Sequence, residues 1–161
     1  QDSLSNLASG IMILVTHPFK CGDYIEGAGT SGTVRSINFT HTVLLTPDNI
    51  LIHIPNKQIV GSVITNYSEQ SKRRLDLWAA LVLFYSADAE KVKNIMRSVV
   101  DSHSKVLKEE PIFVRTLAYQ SSGIDYAVRV WVKTQDYWDT YFDLLEGIKK
   151  ELDANGIEIR R

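Results

Sequence analysis

The 161-residue chain has the composition of an ordinary folded protein and almost no net charge. Apolar residues make up 44% and charged residues 23%, which is enough apolar material for the core of one domain or of two small ones. The 18 basic and 19 acidic residues leave a formal net charge of −1, so no global field attracts nucleic acid or an anionic membrane. The one cysteine, Cys21, excludes an internal disulfide.

The first segment, residues 4–16, has apolar side chains at helical spacing on one face. They are Leu4, Leu7, Ala8, Ile11, Leu14 and Val15. The opposite face is small and polar, with Ser5, Asn6, Ser9 and Gly10, and it favours close approach of another helix. The apolar run is shorter than the roughly 20 residues that span a bilayer. Two interpretations stay open: an amphipathic helix docked on its own domain, or the inner end of a membrane helix that begins outside this chain.

Turn residues divide the next region into short strands. Pro18 disfavours helical geometry at His17, so the helix is predicted to end there. The alternation of apolar and polar residues predicts strands near 23–26, 32–39, 41–46, 50–54 and 62–68, with a short helical turn at 55–59. These elements predict a small five-stranded β-barrel or sandwich. The wholly polar run 69–74 predicts a domain boundary.

The rest of the chain follows a βαββαβ order, which is the ferredoxin-like arrangement. Strands are predicted at 75–84, 112–119, 123–133 and 157–159. A helix with the apolar stripe of Val92, Met96 and Val100 is capped by Ser86 or Asp88. A second helix, 136–154, ends at Asn155-Gly156. Its predicted buried side chains are Trp138, Tyr141, Leu145, Ile148 and Leu152.

One sequence motif suggests nucleotide binding, but its context does not. Residues 27–32, GAGTSG, match G-x-G-x-x-G, whose glycines bring backbone amides against a pyrophosphate at a helix N-terminus. Here a predicted strand follows, so the row of free helical amides is missing. We therefore interpret the motif as a hairpin loop that needs positive φ angles.

Other candidate sites have a structural explanation in each case. The four histidines show no metal-ligand spacing, and Cys21 is predicted to be a buried thiol. Asp136, Asp139 and Asp143 suit a solvated first helical turn. An aromatic group could form a ligand cage, but core packing is favoured for it. The group comprises Trp131, Tyr137, Trp138, Tyr141 and Phe142. No catalysis, cofactor or metal is expected.

Several short motifs together resemble the small-conductance mechanosensitive channel family (MscS-like). They are SLSNLASG at 3–10, PFKCGD at 18–23, GTV at 32–34, IPNKQI at 54–59, VRVW at 128–131 and GI at 156–157. Each is weak alone, but the helix followed by P-F-x-x-G-D and I-P-N is fairly specific in combination. The resemblance runs nearly end to end.

This resemblance implies a homo-oligomeric ring, a heptamer in the best-known members, opened by membrane tension. It implies three parts: the cytoplasmic end of a pore-lining helix (1–20), a β domain (21–70) and a ferredoxin-like domain (71–161). Most of the chain would lie on the cytoplasmic side of the inner membrane, and its partners would be the bilayer, permeating ions and small osmolytes. The implied pore-helix residues are Leu4, Asn6, Leu7, Ala8, Gly10 and Ile11. The implied joint with the β domain comprises Pro18, Phe19, Gly22, Asp23, Pro55, Asn56 and Lys57.

The chain departs from the family pattern at both ends. Asp2 replaces the family's usual glycine before SLSNLA, and the chain stops at Arg161, where the family commonly continues into a small terminal barrel. We therefore expect a fragment. The alternative is a soluble RNA-binding module with an Sm-like or KOW-like barrel, binding through Lys57, Arg73 and Arg74; near-neutral charge argues against it. A metabolic enzyme with a ligand-sensing domain is a third class without an identifiable site.

Overall fold

The structure, a computed structural model, describes residues 2–77, 82–83 and 88–158. They belong to two compact units, residues 1–70 and residues 71–161. Each unit has a hydrophobic core of its own. The architecture is α+β, with a helix at the N-terminus followed by β-sheets and further helices.

The first unit consists of a helix and an antiparallel sheet of short strands. Helix α1, Asp2–Thr16, precedes β1 (Tyr24–Gly27), β2 (Thr30–Ile37), β3 (His41–Leu45), β4 (Leu51–Pro55), α2 (Asn56–Val60) and β5 (Thr65–Asn66). The strand order is β4-β3-β2-β1-β5. Most predicted strands match within two residues, but the one predicted over 62–68 is only two residues long. Beyond it, the side chain of Asn66 accepts from the amides of Ser68 and Glu69, so the backbone turns away from the sheet.

The glycine motif forms a tight hairpin, as predicted. Ala28 and Gly29 connect β1 to β2, and both have positive φ angles, 52° and 72°. A two-residue turn with positive φ at both positions matches the right-handed twist of the flanking strands. Because a strand and not a helix follows, the segment offers no helical N-terminus to a phosphate.

The core of the first unit contains a single side chain from α1. Ile13 is 1% exposed and packs with apolar residues of the sheet and of α2. They are Phe19, Ile25, Val34, Leu44, Ile54 and Ile59. The two buried residues of α1 are Gly10 and Ile13. The predicted apolar face, from Leu4 to Val15, is therefore not the face that docks on the unit's own sheet.

The second unit places its strands around one long central strand. Its elements are β6 (Lys72–Asp76), β7 (Val82–Leu83), α3 (Ala89–Ser102), β8 (Phe113–Gln120), β9 (Gly123–Lys133), a 3-10 turn (Thr134–Asp136) and α4 (Tyr137–Ala154). Strands β6, β7 and β8 each pair with β9 in antiparallel register. Strand β6 begins at Lys72, three residues before the strand predicted over 75–84, because Lys72–Arg74 is paired with β9. Ile157 and Glu158 are not in a strand, and residue 159 lies outside the described residues.

The aromatic side chains at the start of α4 differ from their predicted positions. Trp138 is 59% and Phe142 is 51% exposed, so core packing is the wrong interpretation for these two rings. Leu145 is only partly buried as well. The buried residues follow a stripe at spacing four, Thr140, Leu144, Ile148 and Leu152. Trp138 therefore lies beside the buried stripe, whereas Tyr141 packs against the core from its margin.

Two local predictions have opposite outcomes. The carboxylate of Asp88 caps α3 by accepting hydrogen bonds from the backbone amides of Glu90 and Lys91, at 3.0 and 3.4 Å, as predicted. The alternative cap, Ser86, lies outside the described residues. Cys21 is exposed, so the prediction of a buried thiol is wrong. It occupies a turn before β1, where the backbone amide of Gly22 donates to the carbonyl of Val34 and the thiol lies outside the core.

Tyr126 is a buried ring whose hydroxyl has no hydrogen-bond partner among the described residues. Burial raises its pKa above the usual value of 10.0, because the phenolate is poorly solvated there; Tyr119, Asp88 and Glu90 add smaller unfavourable charge interactions. A raised pKa in the folded state favours the protonated form. The resulting stabilisation is complete below pH 10 and is lost as the pH rises through the folded-state pKa.

Replacement of Tyr126 by phenylalanine is therefore expected to leave the free energy of unfolding unchanged or to raise it by about 1 kcal/mol, since an unpaired buried hydroxyl is removed without changing the ring. The alkaline limb of the stability profile should move to higher pH. Denaturant unfolding between pH 7 and pH 11 measures both effects. Tyr119→Phe is the control for the effect at pH 7, because Tyr119 is 73% exposed. A loss of 2 kcal/mol or more at pH 7 would show that the hydroxyl has a stabilising partner.

Candidate functional site: the joint between α1 and the β domain

Near its N-terminus, α1 is joined to the rest of the first unit by a hydrogen bond between two residues that are 51 positions apart in the sequence. The side-chain carbonyl of Asn6 accepts a bond of 2.8 Å from the backbone amide of Lys57. Lys57 lies in the first turn of α2, whose leading amides have no partner within the helix. Pro55 precedes this turn with φ −55° and ψ 134°, and its side chain provides no cap. Asn6 thus supplies the cap that α2 lacks.

One turn further along α1, Gly10 lies directly on the side chain of Asn56. A Cβ atom placed on Gly10 would be 2.7 Å from Nδ2 of Asn56, 3.2 Å from the carbonyl oxygen of Phe39 and 3.5 Å from that of Asn38. Real Cβ atoms do not approach a heavy atom this closely, so only glycine fits. The small face of α1 therefore makes its close approach to the β domain of the same chain.

Asn56 is completely buried and all of its side-chain groups are paired. Its Oδ1 accepts a bond of 2.9 Å from the hydroxyl of Thr42, and its Nδ2 donates to the carbonyls of Asn38 (3.0 Å) and Phe39 (3.3 Å). Its backbone amide donates to the carbonyl of Thr40 at 3.0 Å. One buried amide thereby holds the β2–β3 loop against the start of α2, and α1 rests on that surface.

The exit from α1 is held by a second buried polar group, Asp23. His17 has φ 51°, which turns the chain sharply after the last helical residue. Phe19 then enters the core at 2% exposure. The carboxylate of Asp23, 6% exposed, accepts bonds from the backbone amide of Lys20 (3.1 Å) and from Nδ2 of Asn66 (2.9 Å). The same Asn66 amide reaches the carbonyl of Pro18 at 3.2 Å, so the exit is tied to β5.

The apolar face of α1 is solvent-exposed in the isolated chain. Leu4 is 72%, Leu14 58% and Val15 68% exposed, and Leu7, Ile11 and Met12 are also exposed. Part of this face borders a groove of about 310 Å³ against the β2–β3 loop. The groove is lined by Leu7, Gly10, Ile11, Leu14, Ile37, Asn38 and Phe39. Such a contiguous apolar surface is typical of a contact with protein or lipid.

The charges near the joint are few. Asp2 is the one acidic or basic residue of α1. Among the described residues no helix has the length and apolarity needed to cross a bilayer. In the same part of the chain, no three histidine, cysteine or acidic side chains lie close enough to hold a metal ion.

Two of the three basic residues proposed for RNA binding, Arg73 and Arg74, have partners within the chain, as does the adjacent Lys72. Lys72 bonds to Glu110 at 2.7 Å and Arg74 bonds to Asp76 at 2.8 Å, and in each case this hydrogen bond raises the pKa of the basic group. The guanidinium of Arg73 lies 3.8 Å from the ring centre of Tyr137. The run 72–74 is thus part of a paired strand, and the RNA-binding alternative gains no support from it.

The structure brings some of the sequence-predicted site residues together and separates others. Asn6, Gly10, Pro55, Asn56 and Lys57 form one contact, whereas Phe19 and Asp23 lie at the other end of α1 with Pro18 and Gly22. Leu4, Leu7, Ala8 and Ile11 do not take part in the joint, except where Leu7 and Ile11 line the groove. Sequence reasoning missed several contributors, among them Ile13, Asn38, Thr42 and Asn66. Only the alternation of β3 could have indicated Thr42, which is a buried polar residue among apolar neighbours.

Comparisons with known proteins assign both units to one class. Residues 2–69 match the model of the mechanosensitive ion channel β domain, and residues 82–159 match that of the MscS C-terminal domain. Both models describe parts of mechanosensitive ion channels. The chain belongs to the MscS family of these channels.

Individual relatives agree with this assignment. The chain is 38% identical over 159 residues to the small-conductance mechanosensitive channel of Edwardsiella ictaluri, covering 99% of this chain and 55% of that protein. It is also 38% identical to that of Helicobacter pylori, covering 99% and 58%. It thus spans a little over half the length of these relatives.

Two solved structures show the same fold. The closed-state crystal structure of Helicobacter pylori MscS matches with a TM-score of 0.90 at 36% identity, covering 99% of this chain and 63% of that one. Arabidopsis thaliana MSL1 matches with a TM-score of 0.78 at 21% identity, covering 100% and 60%. The second likeness concerns the fold alone.

Proposed function

We propose that this chain is part of a subunit of a homo-oligomeric ion channel that opens under membrane tension and releases ions and small osmolytes on hypo-osmotic shock. Residues 1–20 form the cytoplasmic end of the pore-lining helix, 21–70 an Sm-like β domain and 71–161 a ferredoxin-like domain. The subunits form a ring of seven. The observation that carries the proposal is α1, whose polar face is anchored to the β domain while its apolar face remains uncovered.

The joint explains how the helices of such a ring move together. Lateral tension favours the state with the larger area in the membrane plane, and a state change needs contacts that differ between the states. The bond from Lys57 to Asn6 and the contact of Gly10 with Asn56 couple the position of α1 to a β domain with a rigid core. A change in the tilt of α1 must therefore either carry the β domain along or break these contacts.

The uncovered face of α1 indicates what the helix contacts in the assembled protein. Six apolar side chains on a helix with one charged residue form a surface that water does not favour. In the proposed channel, neighbouring copies of α1 and the inner leaflet of the inner membrane cover it. The β domain and the ferredoxin-like domain then lie on the cytoplasmic side.

The full-length protein in liposomes tests the proposal directly. Patch recording should show channel openings whose probability rises with membrane tension, and light scattering of the detergent-extracted protein should give the mass of a closed oligomer. Asn6→Ala removes the acceptor for the Lys57 amide and should alter the tension dependence or the closing kinetics, whereas Ser5→Ala, its neighbour outside the joint, should not. A monomeric mass or conduction that is indifferent to tension would contradict the proposal.

A further inference from the structure

The outer flank of α4 carries an aromatic ridge that the fold of its own unit does not use. Trp138 and Phe142 are one helical turn apart, more than half exposed, and stacked with ring centres 5.9 Å apart at 28°. Tyr137 and Tyr141 support Trp138 from the side with edge-on contacts of 5.1 and 5.5 Å. Aromatic residues held in this way are enriched at the centres of protein interfaces.

The position of this ridge on α4 follows from its contacts with α3. Asp143 bonds to His103 at the end of α3 at 2.9 Å, and a Cβ on Gly147 would lie 3.2 Å from Val99. Asp143 and Gly147 thus mark the side of α4 that faces α3. Because successive helical residues are turned by about 100°, Trp138 and Phe142 lie on the flank turned away from α3.

Helix α3 has a matching flank on its other side. Val99 faces α4, so Arg97, two positions away, is turned in the opposite direction. Arg97 is exposed and has no ion-pair or hydrogen-bond partner among the described residues. Lys93, one turn earlier on the same flank, pairs with Glu90 at 2.6 Å. Glu90 and Asp101 lie on this flank as well, so the outer flank of α3 is mixed in charge, and Arg97 is its one cation without a partner among the described residues.

The chain itself shows that this aromatic group accepts an arginine. The guanidinium of Arg73 stacks over Tyr137 at 3.8 Å on the inner side of the group. Asp139, next to Trp138 in sequence, is paired with Lys105 at 3.9 Å and adds no free charge to the ridge. Aromatic faces favour a cationic partner, and guanidinium is the cation that stacks best on a ring.

We propose that the Trp138–Phe142 ridge of one copy packs against the Arg97 flank of α3 of a second copy, in a head-to-tail contact repeated around the ring. The inference rests on the proposed homo-oligomeric function and specifies the interface within it. Two different, complementary flanks on opposite sides of one unit generate a heterologous contact, which closes into a ring when the rotation permits. A two-fold contact would instead place the aromatic ridge of one copy against that of the other and leave Arg97 without an aromatic partner.

Cross-linking in the full-length protein tests this geometry. Cys21 is exposed and is first replaced by serine to remove its reactivity. The double variant Arg97→Cys with Phe142→Cys, treated in membranes with a short bifunctional maleimide, should give a ladder of products larger than a dimer. Each single variant should give none. The matched control is Arg97→Cys with Lys150→Cys, since Lys150 is an exposed residue of α4 outside the ridge.

Each result has a distinct consequence. A ladder from the double variant alone supports the proposal. A strong dimer from Phe142→Cys alone indicates a two-fold contact and overturns it, as does a control ladder of equal strength. Absence of a ladder while light scattering shows an intact ring overturns this interface and leaves the proposed function standing, whereas a monomeric mass overturns both.

A mutant cycle gives a second measurement that does not depend on cysteine chemistry. Trp138→Ala and Arg97→Ala each remove an exposed side chain, and each should raise the dissociated fraction of the ring by roughly 3- to 10-fold. The double variant should dissociate little more than either single one, because both remove the same contact. Fully additive effects would overturn the pairing of these two residues.

Discussion

Replacement of Gly10 by alanine is expected to displace α1 from the β domain and to destabilise the first unit by about 1–3 kcal/mol. The new methyl group would lie 2.7 Å from Nδ2 of Asn56. That nitrogen cannot move aside easily, since it is held by the carbonyls of Asn38 and Phe39. Alanine also improves helix propensity by about 1 kcal/mol relative to glycine. The clash exceeds this gain because a fully paired buried group must be disrupted.

The functional consequence is a change in gating with an intact ring. The sequence predicted that the small face with Gly10 approaches another helix; the structure adds a contact of Gly10 with Asn56 of the same chain. Gly10→Ala should therefore change the tension threshold or closing kinetics in patch recordings, while the oligomeric mass stays the same. Ser9→Ala, the adjacent substitution on the same helix, is the control. Unchanged unfolding and gating for Gly10→Ala would contradict the contact.

Substitution of Asn56 by aspartate should have the largest effect at the joint. A carboxylate can still accept from Thr42, but its second oxygen would face the carbonyls of Asn38 and Phe39 at about the present 3.0 and 3.3 Å. Two donated bonds are replaced by repulsion at a site with no solvent exposure. We expect a loss of about 2–4 kcal/mol in the free energy of unfolding at neutral pH.

The dependence on pH distinguishes this mechanism from a general defect. Burial and the facing carbonyls disfavour the charged form, so the pKa of the new carboxyl should be raised in the folded state. Stability should therefore recover partly as the pH falls through that pKa, because the neutral acid can donate one bond. Thermal unfolding of the full-length protein between pH 5 and pH 8 measures the recovery. The control is Asn94→Asp on the exposed face of α3, for which neither loss nor recovery is expected.

The two substitutions act on the same contact, and their combination should show it. Gly10 touches the amide that Asn56→Asp removes, so the double variant should lose less stability than the sum of the two single losses. If the loss of stability in the double variant came within about 0.5 kcal/mol of the sum of the two single losses, the two sites would be independent. This comparison also separates an effect on the joint from a general weakening of the β domain.

Local backbone chemistry determined several features that could be predicted from sequence alone. Pro18 ends α1 because it disfavours helical geometry at His17, and Asn155-Gly156 ends α4, with Gly156 at φ 71°. Gly29 permits the positive φ angle of the β1–β2 turn, which shows that the glycine motif is a hairpin. The α+β class and the family resemblance also follow from such local patterns. Each of these depends on neighbours in the chain and needs no knowledge of distant contacts.

Only the tertiary structure decided which surfaces meet. Hydrophobic periodicity marked the apolar face of α1, yet the docked face is that of Asn6, Gly10 and Ile13, because the β domain presents a paired amide that only glycine can approach. On α4 the periodicity placed Trp138 in the core, whereas the buried stripe runs through Thr140 and Leu144. The pairing of polar groups between residues about 50 positions apart decided the first outcome. Packing of the α4 stripe into the core of the second unit decided the second, and neither is a property of a local sequence pattern.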